Sequence, residues 1–325
     1  VEMESGIGGE YNLNGGTFTP GFVNVTEGIF DVNDARTLAA TISLSSATEL
    51  RITAGADLAL NSANVSGAGT ITNNDQLTIT NSTIGSGLSN NATLDFNGAV
   101  TLNGLAGLIS GSVTTLNSGA NVSGSGVLDS RGQLDLINAL LTVDGFTLFG
   151  GIVSNQTTVD STSQINPGIA MDWRSGALLG LGSVTAPTIT TSLAGSRRLD
   201  DTTINVANFA LNAGTLDMLG GTINAADITV ASGATFTQTG GNTDVTDLNV
   251  DSGGVFNQFG GTLLGAAGTV QVDGFLNWSS SGAFGVEPTT LNVGASGQWD
   301  IDSLFGFGFD VFNAGVVTAK NSGGL

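Results

Sequence analysis

The chain of 325 residues sets seven Lys and Arg against 27 Asp and Glu, a formal charge of −20, and contains neither cysteine nor histidine. That balance argues against a nucleic-acid partner or an anionic membrane. It also leaves no disulfide framework, no thiolate metal site and no residue for the usual zinc or histidine acid–base chemistry. Hydrophobic residues make up 40% of the chain and charged ones 10%, so a core can form and disorder is not expected.

The opening "VEMESGIGGEY" lacks the basic and apolar regions of a signal peptide, and nowhere do eighteen apolar residues run together. No direct insertion into a membrane is expected. The first residue is Val, which reads as a mature secreted chain or a piece cut from a longer one. Residues 1–35 already alternate like strands and form an N-terminal edge segment.

From Asn64, "NVSGAGTITNNDQLTITNS" aligns without a gap to "NVSGSGVLDSRGQLDLINA" from Asn121, an offset of 57 residues or three times nineteen. Between and beyond these stretches short apolar-x-apolar pieces recur, among them Leu77 to Ile79, Leu94 to Phe96 and Leu276 to Trp278, each bounded by Gly, Asn, Asp or Ser. Each reads as a strand of three to five residues. Residues 160–203 are less regular, and "GSRRLDD" from Gly195 to Asp201 reads as a solvated loop inserted between turns.

The repeat is clearest from residue 209 onward. "ITVASGATFTQTGG" (Ile228 to Gly241) is followed twenty residues later by "LNVDSGGVFNQFGG" (Leu248 to Gly261). Val230 falls over Val250, Gly233 over Gly253, Phe236 over Phe256 and Gly240-Gly241 over Gly260-Gly261. Upstream, "FALNAGTLDMLGGTI" from Phe209 matches both with one residue fewer. The period of two within each piece, with β-branched and aromatic residues at the apolar positions, rules out helix as the main element. A sandwich or barrel also uses short strands, but its strands are not equivalent and have no reason to keep one repeat length.

A solenoid does have that reason, because each turn must return the chain over itself about 4.8 Å along parallel sheets. The expectation is an all-β, parallel β-helix: one elongated domain over residues 1–325, of roughly sixteen turns and near 80 Å long at that strand spacing. Glycine suits its corners. Asn and Thr at equivalent turns, as in "NVSG", can form hydrogen-bonded ladders, although turn propensity explains the same residues.

The units "LNVDSGGVFNQFGGTL", "NVSGAGTITNNDQLTI" and "WRSGALLGLGSVTAPTI" (Trp173 to Ile189) resemble the degenerate repeats of bacterial secreted and surface β-helix proteins. Autotransporter passengers and filamentous-haemagglutinin-like adhesins are the best-known members. The resemblance covers almost the whole chain and implies a right-handed β-helix outside the cell, serving adhesion, matrix or stalk roles. The membrane barrel that ends an autotransporter is not in this sequence.

No residue is assigned a catalytic role. The basic residues, Arg36, Arg51, Arg131, Arg174, Arg197, Arg198 and Lys320, are scattered, and "GSRRLDD" puts two bases beside two acids as a polysaccharide lyase would need. Any two turns can bring carboxylates within glycosidase range, but no motif selects a pair. Asp227 and Asp247 occupy equivalent places with Asp244 nearby, which makes them the candidate ligands for calcium. A hydrated surface presents the same residues, and the glycine-rich nonapeptide of calcium-loaded β-rolls is missing. No cofactor is expected otherwise.

Seven N-x-S/T sequons occur, at Asn24, Asn64, Asn81, Asn91, Asn121, Asn155 and Asn277; the abundance of Asn, Ser and Thr supplies most of them by chance, and only a host with glycosylation machinery would use them. Ice binding would want Thr-x-Thr at one fixed position in many turns, and "TFTQT" (Thr235 to Thr239) is followed by "VFNQF" (Val255 to Phe259).

The last stretch, 301–325, is a Phe-rich terminal turn. It places Phe305, Phe307 and Phe309 on one face of a strand with Phe312 beyond, either as a plug closing the core or as an assembly interface. The functional expectation is an extracellular, cell-surface structural solenoid: a filament subunit, stalk or adhesin segment that associates head to tail. A polysaccharide-binding or polysaccharide-degrading β-helix is the alternative, with surface polysaccharide as the partner.

Overall fold

In the computed structural model, residues 2–3, 9–14, 18–149, 156–159, 163–264, 268–279, 283–286, 290–302 and 310–319 are described. Among them the alternating pieces are strands, there is no helix, and the strands stack in parallel as a β-solenoid. The pattern of two explains why. In Gln76–Thr80, Leu77 and Ile79 are buried while Gln76 and Thr78 point outward. Stacking turns buries the inward column and lets the neighbouring turn complete each ladder of hydrogen bonds.

Chain contacts divide the protein into two compact units, Val1–Gly168 and Ile169–Leu325, where the sequence reads as one domain. In the first unit the turns from Phe22 to Leu116 hold three strands each, and in the next turns Asn121–Ser130 and Leu140–Leu148 each join two of the faces in one strand. One turn is Asn64–Gly67, Thr70–Asn73 and Gln76–Thr80, and the next is Thr83–Ile84, Gly87–Asn90 and Thr93–Asn97. The 57-residue offset survives on two of these three faces. Ile71 stacks on Leu88, Leu88 on Ala106 and Ala106 on Leu128, while Gln76 leads through Thr93 and Val113 to Gln133.

On the remaining face the stack runs from Asn64 through Thr83 and Thr101 to Ser123, two residues past the Asn121 of the gapless alignment. A two-residue slip keeps the same side chains inward, since alternation has a period of two. Individual turns are not nineteen residues long either. Thr70 to Gly87 takes seventeen and Leu105 to Val127 takes twenty-two, the corners absorbing the difference.

In the second unit the first two faces are one bent strand in the turns of Thr203–Leu211, Thr222–Val230 and Asn242–Val250, and they separate again at Thr262–Leu264 and Thr269–Val272. The bent strands alternate with the third-face strands Gly214–Met218, Ala234–Gln238 and Val255–Gln258. Val230 pairs with Val250 and Phe236 with Phe256, whose rings lie 4.8 Å apart at 57°. Gly221, Gly241 and Gly261 repeat one corner at φ of +77°, +69° and +68°. A Cβ on Gly241 would sit 2.4 Å from the carbonyl oxygen of Gly221, so both the dihedral and the close stacking require glycine here. Among the described residues the turns number about 13, against the sixteen expected from the sequence.

The core contains polar ladders as well as apolar columns. Fully buried Asn73 donates from Nδ2 to Asn90 Oδ1 at 2.7 Å and to the Thr93 carbonyl at 2.7 Å. Asn90 in turn donates to Thr114 Oγ1 at 3.1 Å. Each amide thereby has the partners that burial demands.

Candidate functional site

The segment that sequence reasoning singled out for chemistry is a strand rather than an inserted loop: Ser196–Asp200 lies on the third face of the second unit. Alternation then puts Arg197 and Leu199 inside and Ser196, Arg198 and Asp200 outside. Arg197 occupies the core column that continues through Leu216, Phe236, Phe256, Leu276 and Trp299, and it is 1% exposed.

Main-chain carbonyls surround the guanidinium of Arg197. Its Nη2 donates to Leu193 O at 2.6 Å, Nη1 to Gly195 O and Ala213 O at 2.9 Å each, and Nε to the Trp173 carbonyl. Burial pulls its pKa down to about 10, partly opposed by the charge of Asp172, and the group stays cationic at neutral pH. These bonds use the planar fork of donors to tie three successive turns together. Nothing in this arrangement places the guanidinium beside a substrate surface.

Arg198, by contrast, faces solvent, pairs with Asp200 at 2.6 Å and stands in register with Asp217. Asp172 is held below the ordinary carboxylate range. Burial raises it, but hydrogen bonds from Ser192 and Arg174 more than offset that.

The register brings Asp227 onto Asp247 and leaves Asp244 opposite Asn224. Asp247 Oδ1 accepts a hydrogen bond from the Thr269 amide at 2.8 Å. Among the described residues no group of three or more acids, histidines or cysteines converges. Of the terminal aromatics, Phe305, Phe307 and Phe309 lie outside the described residues, and Phe312 belongs to the strand Asp310–Asn313, which pairs with Thr290–Val293.

A feature that sequence reasoning missed lies on the outward side of the third face. Thr237, Asn257 and Asn277 stack in register. Asn277 Nδ2 donates to Asn257 Oδ1 at 2.7 Å, and Asn257 Nδ2 to Thr237 Oγ1 at 3.2 Å. Phe259 and Phe275 flank this ladder on opposite sides, 44% and 41% exposed. The available signal was the spacing of two in "VFNQF" and "FLNWS", which sends Val255, Asn257 and Phe259, then Phe275, Asn277 and Ser279, to one side.

No family model, no curated protein and no solved structure matches this chain.

Proposed function

We propose that the protein is an extracellular structural β-solenoid: a filament subunit, stalk or adhesin segment of a cell surface. The observation that carries this reading is the repetition of one turn design in three dimensions. Val230 on Val250, Phe236 on Phe256 and Gly241 on Gly261 each make the contact that the next turn makes again. A chain built this way gains length with each turn, and its net charge of −20 opposes non-specific association.

End-to-end association through the Phe-rich terminal stretch is the assembly mode we propose, a heterologous contact that propagates. The charge of −20 then limits side-by-side bundling, since repulsion along the chain acts within about 8 to 10 Å at moderate salt. Electron microscopy and sedimentation of the purified protein test this directly. Fibres or end-joined rods are expected, and truncation after Asp300 should abolish them. A protein that stays monomeric at high concentration and in added salt overturns the assembly mode.

A further inference from the structure

The outward third face of the second unit, across the turns of Ala234–Gln238, Val255–Gln258 and Phe275–Ser279, combines two kinds of group that seldom share a solvated sheet. One is the amide ladder of Thr237, Asn257 and Asn277. An amide carries two N–H donors, and the ladder consumes only one from each asparagine. The other is the pair of phenylalanines, Phe259 beside Asn257 and Phe275 beside Asn277, each more than two-fifths exposed. Together they put aromatic surface beside amide donors on one face of the sheet.

We propose that this face binds a single chain of an uncharged polysaccharide. The rings stack on the apolar faces of successive sugars, and the amide ladder exchanges hydrogen bonds with their hydroxyls. Charge selects the class of glycan. No Lys or Arg occurs between Arg198 and Lys320, so the face has no cation for a uronate or sulfate, while Asp251 and Asp273 lie at its corner and repel anions.

Size selects a linear ligand over a second copy of the protein. Three strand spacings by five residues give a patch of about 200 Å². A stable protein interface needs about 800 Å² on each partner. A polysaccharide strand, narrow and repetitive, matches a ladder that is itself narrow and repetitive.

This inference rests on the adhesin part of the proposed function and is separable from filament assembly. The test is retention of the full chain on cellulose, chitin, curdlan, mannan and amylose, beside alginate and heparin as anionic controls. At least one neutral polymer should retain the protein. Phe259→Ser with Phe275→Ser should weaken that retention tenfold or more, and Asn257→Ala with Asn277→Ala should weaken it too, with the far-ultraviolet dichroism unchanged. Retention by none of the neutral polymers, retention only by the anionic ones, or retention indifferent to the phenylalanines overturns the proposal. So does a concentration-dependent dimer that the phenylalanine variant loses, which would make the patch a contact between copies. Fibre formation that persists while glycan retention fails leaves the structural role standing and removes only this site.

Discussion

Arg197 and Leu216 face each other one strand spacing apart on the inside of the second unit, so a guanidinium fills a place that the following turns give to Leu, Phe and Phe. The carbonyls of Trp173, Leu193, Gly195 and Ala213 accept its donors. Arg197→Ala removes one donor from each of these carbonyls, of which Leu193, Gly195 and Ala213 keep a second from Gly195 N, Thr215 N and Thr191 Oγ1, and leaves a cavity. We expect a loss of about 2–5 kcal/mol in urea unfolding, as for other large-to-alanine changes in a core. Arg197→Lys, which keeps the charge with three donors, should lose less. An alanine variant within 0.5 kcal/mol of the parent, the spread of ordinary surface changes, would show that the guanidinium contributes nothing net to the core.

Buried Thr243 donates to Gln238 Oε1 at 2.9 Å. One turn on, Leu263 replaces the threonine, and Gln258 Oε1 is buried with no partner. Thr243→Val, nearly equal in shape, should cost about 1–3 kcal/mol by orphaning Gln238. Leu263→Thr should cost less than the loss of a leucine side chain normally does, because it restores the donor to Gln258. Equal penalties for Leu263→Thr and Leu263→Ala would refute the pairing.

Glycine at two corners of the same unit separates strain from crowding. Gly233 has φ +78° with open space where a Cβ would be, and Gly241 has φ +69° with the Gly221 carbonyl 2.4 Å away. Gly233→Ala should cost about 1–2 kcal/mol, the penalty of a left-handed residue. Gly241→Ala should cost more, because the stack itself must shift. Thermal melting of the two variants should rank them in that order.

Asp95 stands outward between Thr78 and Thr115. Burial raises its pKa above the ordinary 3.8, partly opposed by a hydrogen bond from Asn117. A raised carboxyl binds more protons folded than unfolded, so stability falls as pH rises from 3.8 through the folded value, and the penalty is complete at neutral pH. Asp95→Asn, which keeps the acceptor for Asn117, should raise the melting temperature at pH 7. The gain should vanish at a pH below the ordinary carboxylate value. A gain that is the same at both pH values would assign it to something other than this ionisation.

The sequence alone determined the solenoid. Strands alternate with a period of two, and equivalent residues recur near every twentieth position. Only stacked parallel turns give Phe236 and Phe256, or the glycine pairs, the same environment twice. Tertiary structure decided what local pattern leaves open. Corner lengths vary without disturbing alternation, so a gapless alignment pairs Asn64 with Asn121 while the fold pairs its column with Ser123. Whether a charged residue in a strand faces water depends on the register of its neighbours. Arg197 therefore reads as solvated until Leu216 is seen beside it. The amide ladder with its flanking phenylalanines likewise exists only once three turns are stacked, because its members are about twenty residues apart along the chain and one strand spacing apart in space.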